Sequence, residues 1–294
     1  MTHSFGIAPP GYRLPAETHI GSVRLQVSDL ERSIHYYESV IGMRVISRGD
    51  ATAKLGPQGA ERTLIQLDEM KGARTVPRRG LLGLYHFAIL LPDRSSLGAF
   101  AAHLAAIGAY AGMSDHLVSE ALYLTDPDGL GIEVYADRDR SMWTAVNDQV
   151  VMATKALDVE NLIAAAKGKK WEGIPAGTVI GHVHLYVGDI DDAARFYHNG
   201  LGFDKIVWSY PGALFMSAGG YHHHLGVNTW AGSSPKATDA DARLLDWELV
   251  LPTSGNAAEA AEALEKAGYA VERNGDTVRA RDPWGTALRF LAEF

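Results

Sequence analysis

The chain repeats itself, and the repeat limits what it can fold into. Ile20-Gly21-Ser22-Val23-Arg24-Leu25-Gln26-Val27-Ser28-Asp29-Leu30 continues through Ile34-His35-Tyr36-Tyr37 to Ile41-Gly42-Met43. Ile180-Gly181-His182-Val183-His184-Leu185-Tyr186-Val187-Gly188-Asp189-Ile190 continues through Ala194-Arg195-Phe196-Tyr197 to Leu201-Gly202-Phe203, and the two align without a gap. Each begins with apolar alternation, the signal of a strand. Each then places an Asp to cap a helix that carries an aromatic pair and stops at Gly.

A second pair of segments repeats as well. Tyr85-His86-Phe87-Ala88-Ile89-Leu90-Leu91-Pro92 matches Asp246-Trp247-Glu248-Leu249-Val250-Leu251-Pro252 towards its end. Each is followed by an Ala-rich helix ending at Gly108 or Gly268. Each then reaches a tight turn, Asp126-Pro127-Asp128-Gly129 or Asp282-Pro283-Trp284-Gly285, and a last strand. The chain therefore reads as four strand-helix-three-strand units, starting near Ile20, Leu84, Ile180 and Leu244. One such unit cannot bury both faces of a curved sheet, but two can close a cup. The expected fold is α+β, with four βαβββ modules paired into two cup-shaped half-barrels. The expected divisions are 1–150 (modules one and two), a linker at 151–177 and 178–294 (modules three and four). Within the linker, Ala156 to Lys167 reads as helical.

Composition narrows the chemistry. The 294 residues carry a formal net charge of -8, which argues against nucleic acid as the main partner. No apolar run is long enough for a membrane span, and the N-terminus lacks the pattern of a signal peptide. The expected location is the cytoplasm. Cysteine is absent, so thiolate metal sites and disulfides are excluded. Any metal must sit on His, Asp, Glu or water.

The modular pattern resembles the vicinal oxygen chelate superfamily over nearly the whole chain. That resemblance implies a metal inside a cup formed by two modules, held by inward residues of their first and last strands. With the first strands aligned, the equivalent inward positions are Ser22, His86, His182 and Asp246. On the last strands of modules two and four they are Glu133 and Arg289. His86, His182 and Glu133 make a two-His, one-carboxylate set with open positions, the pattern of non-haem iron(II) oxygenases. Arg289 cannot bind a metal. The expectation is that modules two and three share a metal-bearing cup and modules one and four form a metal-free one. A His86–His182 separation beyond about 10 Å would contradict it, because ligand bonds are only about 2 Å long. The fallback set is His86 and Glu133 with Gln66 or His19.

A more specific resemblance begins at Ser114-Asp115-His116. Leu122-Tyr123 follows after five residues, Asp126-Pro127-Asp128-Gly129 after two more, and Glu133 after another three. This is similar to the signature of type I extradiol dioxygenases, with one departure: Ser114 stands where those enzymes carry Gly, Asn, Thr, Ile or Val. Tyr85–Arg94, Ser119–Tyr123 and Gly219–His224 further resemble short, two-domain bacterial catechol-2,3-dioxygenases. In better-known extradiol enzymes the ligands come from modules three and four, where this chain has Asp246 and Arg289.

The resemblance implies roles. Glu133, His86 and His182 resemble the metal ligands, and His116 and Tyr123 the pair that hydrogen-bonds substrate and bound oxygen. In the run Tyr221-His222-His223-His224-Leu225, His223 resembles the acid-base histidine, with a pKa near neutrality. On a strand its neighbours His222 and His224 would point outward. The implied activity is meta cleavage of a catechol-type aromatic diol by O2 at iron(II), with manganese(II) an alternative, giving a ring-opened semialdehyde. A homodimer is the expected assembly. Two other readings stand beside this one. A glyoxalase-like lyase or isomerase would use a fourth protein ligand, for which His224 is the candidate. A non-catalytic aromatic-binding protein would need aromatic walls, for which Trp143, Trp208 and Trp230 are candidates.

Overall fold

The computed structural model describes residues 5–275 and 277–293. Its core is two eight-stranded sheets. One sheet runs in the order Asp204–Val207, Ala213–Ser217, Leu225–Asn228, Val179–Tyr186, Gly83–Leu90, Gly131–Asp137, Ser119–Thr125, Gly112–Asp115. The other runs Val271–Asn274, Thr277–Arg281, Ala287–Ala292, Arg243–Leu251, His19–Val27, Ile65–Glu69, Thr52–Gly56, Arg44–Arg48. The first sheet is built from modules three and two, and the second from modules four and one. This is the cross-pairing expected from the uneven distribution of histidines. Each sheet joins strands from both halves of the chain, through antiparallel pairing of Val179–Tyr186 with Gly83–Leu90 and of His19–Val27 with Arg243–Leu251.

The repeated sequence signals have repeated structural jobs. Asp29, Asp93 and Asp189 cap their helices by accepting a backbone N–H three residues on. In modules one and three the helix loosens into a π-turn at Tyr37–Ile41 and Arg195–Gly200. The second aromatic of each pair reaches into the neighbouring module. Tyr37 donates to Asp126 at 3.2 Å, and Tyr197 donates to Asp282 at 3.0 Å. Each Asp opens an Asp-Pro-x-Gly turn and also accepts two backbone N–H groups of that turn. Burial pushes Asp126 up to about 7 and Asp282 up to about 6. The two turns are thus buried joints between modules as well as hairpin corners.

A continuous apolar core passes through both sheets, with Phe87, Trp247, Tyr37, Tyr197 and Phe203 fully buried in it. The helix of the linker spans Val159–Ala165, shorter than the periodicity suggests, and buries Leu162. Its backbone lies so close to Gly98 that a Cβ there would sit 2.2 Å from the Leu162 carbonyl oxygen. Among the described residues no helix is long and apolar enough to cross a membrane.

Candidate metal centre

Three adjacent strands carry the expected ligands in one row. His182 pairs with Ala88 across one strand boundary, and Ala88 pairs with Glu133 across the next. His86 lies two residues from Ala88 on the same strand, hence on the same face. The row is interrupted in the middle only by a methyl group, so a space opens between His182 and Glu133. Ala88 is fully buried, as are His86, His182 and Glu133 nearly so. Gly181, next to His182, sits where the pairing register shifts. A Cβ at Gly181 would meet the Tyr135 hydroxyl at 1.8 Å, so only glycine lets Tyr135 pack over this strand.

The donor atoms converge. His86 Nε2 lies 3.0 Å and His182 Nε2 3.2 Å from the same Glu133 oxygen, Oε2. One donor atom from each residue falls within 4.8 Å of the other two. Ligands at right angles around an ion with bonds of about 2.1 Å are about 3 Å apart. The spacing therefore fits a shared metal ion as well as it fits hydrogen bonds. Hydrogen bonds do not account for the cluster. Nδ1 of His86 and Nδ1 of His182 are buried without a partner, and His86 Nε2 meets Glu133 outside hydrogen-bond geometry. A buried polar group left without a hydrogen bond costs about 1–3 kcal/mol. A cation beside Glu133 would take the Nε2 lone pair of both rings and remove that cost at His86 Nε2, though not at the two Nδ1 atoms. Protonation is the wrong remedy, because burial pushes His182 down to about 4. Burial pushes Glu133 up, but the His182 and His86 rings more than reverse it and hold the carboxyl well below its usual range. A carboxylate and two imidazoles make a donor set for a hard-to-borderline divalent ion.

The remaining expected residues border a cavity of about 190 Å³ beside the cluster. His116, Tyr123 and His223 line it together with His86 and Glu133. His116 Nδ1 is 2.8 Å from the Ala153 carbonyl and its Nε2 is 2.6 Å from the Tyr123 hydroxyl. A carbonyl can only accept, so Nδ1 carries the proton and Tyr123 donates to Nε2. Burial, followed by the Glu133 charge, raises the Tyr123 pKa well above its usual value, so the phenol keeps its proton.

The histidine run departs from expectation. Tyr221–His224 is a loop, and the strand begins at Leu225. Gly219 and Gly220, at φ +63° and +67°, turn the chain there, so strand alternation does not apply. All three histidines are buried, and His222 and His224 do not point outward to solvent. His222 Nε2 donates to Asp137 at 2.9 Å, which leaves its Nδ1 to accept from His223 Nδ1 at 2.8 Å. His223 is left with its Nε2 lone pair free, and its ring centroid is 4.1 Å from that of His182. Burial, reinforced by His182 and His222, pushes His223 well below the ordinary histidine pKa rather than near neutrality. It is a neutral acceptor held in one tautomer. His224 belongs elsewhere: its Nδ1 accepts from Ala218 N–H, and it borders a separate cavity with His19, Arg62 and Arg140.

Other expectations are sorted by position. His19 and Gln66 lie on the other sheet, so they do not complete this cluster. Of the three tryptophans only Trp230 lines the cavity, while Trp143 packs on Tyr221 and His222 and Trp208 packs against the core. Sequence reasoning missed His184, Tyr85, Tyr210 and Phe215, which also line it. His184 was legible in principle, since it sits two residues beyond His182 and pairs with His86. Its ring occupies the space over Gly226, where a Cβ would come within 2.9 Å. Its Nε2 faces Asn228 Nδ2 at 2.9 Å.

Known proteins share this construction. The chain matches the Glyoxalase/Bleomycin resistance protein/Dioxygenase superfamily over residues 19–134 and 179–290. A Bacillus subtilis (strain 168) protein named catechol-2,3-dioxygenase is 46% identical over 273 residues, spanning 91% of this chain and 94% of that protein. A solved B. subtilis structure described provisionally as a dioxygenase superposes with a TM-score of 0.65 at 14% identity, covering 96% of this chain and 86% of the other. Glyoxalase I from Zea mays superposes at 0.57 with 19% identity, covering 94% and 92%. At such identities the two structures show a common fold alone. With module repeats, cross-paired sheets and a family match over more than three-quarters of the chain in agreement, the chain belongs to the Glyoxalase/Bleomycin resistance protein/Dioxygenase superfamily.

Proposed function

We propose that the protein is an extradiol ring-cleaving dioxygenase that inserts both atoms of O2 into a catechol-type aromatic diol at a non-haem iron(II) centre. The observation that carries this reading is the set of three converging donors, His86, His182 and Glu133, with both Nε2 atoms 3.0–3.2 Å from one Glu133 oxygen and His86 Nε2 outside hydrogen-bond geometry. Three protein ligands leave room for three more, which a bidentate diol and dioxygen require. The 46% identity to a protein named catechol-2,3-dioxygenase supports the substrate class. The glyoxalase-like alternative loses its fourth ligand, because His224 borders a different cavity.

Iron(II) held by these three residues supplies the positions for diol and dioxygen and the redox chemistry of ring opening. The chain's own groups handle binding and protons. His223, fixed by His222 and Asp137, offers a free Nε2 lone pair for a proton leaving the diol. Tyr123 and His116 supply a hydroxyl and a ring whose protons are already ordered. Tyr85, Phe215 and Trp230 give apolar walls that suit a single aromatic ring and exclude water.

The test is oxygen uptake with catechol by protein purified anaerobically and loaded with iron(II). Uptake of one O2 per catechol with a yellow ring-opened product is expected. Absence of uptake in protein shown to contain one iron would overturn the reading.

A further inference from the structure

A second cavity, of about 370 Å³, shares Tyr85, His86 and Tyr123 with the first. Its walls also include Arg78 and Arg79. No Asp or Glu lines it, although the chain as a whole is acidic at -8. Neither arginine has a carboxylate partner among the described residues, whereas nearby Arg74 is paired with Asp241 at 2.8 Å. Two unpaired guanidinium groups at a concave site focus a positive potential there.

The arginines are not on a loose loop. The Leu82 N–H donates to the Pro235 carbonyl, and Ser234 Oγ donates to the Arg79 carbonyl at 2.8 Å. Arg79 and Tyr186 line the same cavity. From there a run of rings leads inward: Tyr186 to Tyr85 at 4.7 Å between centroids, then Tyr85 to His86 at 4.6 Å. Tyr186, on the wall shared with Arg79, is thus linked to the candidate metal ligand His86 through Tyr85.

We propose that this second cavity receives an acidic substituent of the diol, so that the substrate is an aromatic diol bearing a carboxylate side arm, met by Arg78 and Arg79. The inference rests on the dioxygenase reading above. Arginine suits the task because its planar fork pairs with a carboxylate through two parallel hydrogen bonds. Tyr85, common to both cavities, would mark the boundary between ring and side arm.

The test compares catechol with 3,4-dihydroxyphenylacetate on the iron(II)-loaded protein. Anaerobic binding is measured by calorimetry and turnover in air by oxygen uptake. The wild type is expected to bind the acid at least about tenfold more tightly than catechol, the scale of one charge-assisted contact. In Arg78→Ala/Arg79→Ala that ratio is expected to fall towards one, through KM rather than kcat. Arg273→Ala, which removes a distant surface charge paired with Glu265, controls for net charge and is expected to keep the ratio. Raising salt is expected to weaken the acid selectively. Equal affinity for the two diols in the wild type, or a ratio unchanged in the double variant, would overturn the inference. Arginine-dependent binding of the acid with no oxygen uptake from either diol would instead overturn the dioxygenase reading and leave the anion site standing.

Discussion

The two cups are built from the same repeat and differ most at their centres. In the histidine cup the central row reads His182, Ala88, Glu133, with His86 beside it. In the arginine cup, sequence alignment puts Ser22, Glu248 and Arg289 at those places and Asp246 beside them. The decisive exchange is Ala88 for Glu248. The Glu248 carboxylate fills the middle of its cup, accepting the Ser22 N–H at 2.7 Å and pairing with Arg289 at 2.8 Å. Fully buried Asp246 pairs with Arg289 at 2.7 Å and stands 3.4 Å from Arg279 and 3.7 Å from Arg24. Arg24 is also paired with Asp68. One cup has its charges matched internally, whereas the other gathers donors and leaves them unmatched. Sites kept for function commonly carry such a local cost.

The sharpest way to break the contrast is to fill the empty centre while keeping every ligand. Ala88→Leu is expected to abolish metal retention and to lower catechol turnover by at least about a thousandfold, the scale of several kcal/mol of lost metal catalysis. Elemental analysis and oxygen uptake read both. Retained metal with near-normal turnover would mean that the row does not enclose the ion.

A second comparison is of stability. Asp246→Ala removes a fully buried carboxylate from half-buried Arg289 and Arg279 and is expected to cost about 1–3 kcal/mol in denaturant unfolding. His86→Ala, in metal-free protein, removes a ring whose Nδ1 has no partner and whose Nε2 meets Glu133 outside hydrogen-bond geometry, and is expected to cost less. Similar losses for both would remove the distinction between a matched and an unmatched cup.

A smaller effect concerns the pair beside the cluster. Tyr123→Phe removes the hydroxyl that donates to His116 and is expected to lower kcat/KM by about 10- to 100-fold with metal content intact. The equivalent position in the arginine cup is Arg279, which faces Asp246 at 3.4 Å instead of a histidine. Unchanged steady-state kinetics would exclude Tyr123 from the reaction.

The smallest expected effect lies in what the two halves share, the buried Asp turns. Asp126 has a folded-state pKa of about 7, above its unfolded value. Its contribution to stability is therefore complete in acid and is lost as pH rises through about 7, with a slope of at most about 1.4 kcal/mol per pH unit. Asp126→Asn is expected to flatten the stability profile between about pH 4 and 7. Asp282→Asn should act over a slightly lower range, because its value is about 6. An unaltered slope in both variants would show that these joints do not titrate on unfolding.

Much of this was legible in the sequence because the repeat carries the register. Once Ile20 and Ile180 align, so do Ser22 and His182, and one residue of slip would have sent each to the opposite face. The sheet partners were legible from where the histidines fall. The loop at Tyr221–His224 was not, since two positive-φ glycines replace an alternation that the residue types alone suggest. The relay from Asp137 through His222 to His223 was equally hidden, because Asp137 and the histidines are 85 or more residues apart and meet only when modules two and three share a sheet. The second cavity was hidden for a similar reason: Arg78 and Arg79 sit in a loop with no periodic signal.

The most direct test of the central claim is the metal content of the protein and two of its variants after anaerobic loading with iron(II) and desalting. One iron per chain is expected in the wild type, with loss of that iron in both His86→Ala and His182→Ala, since each module supplies part of a single site. Iron retained at one per chain in either variant, or two irons per chain in the wild type, would contradict a shared centre.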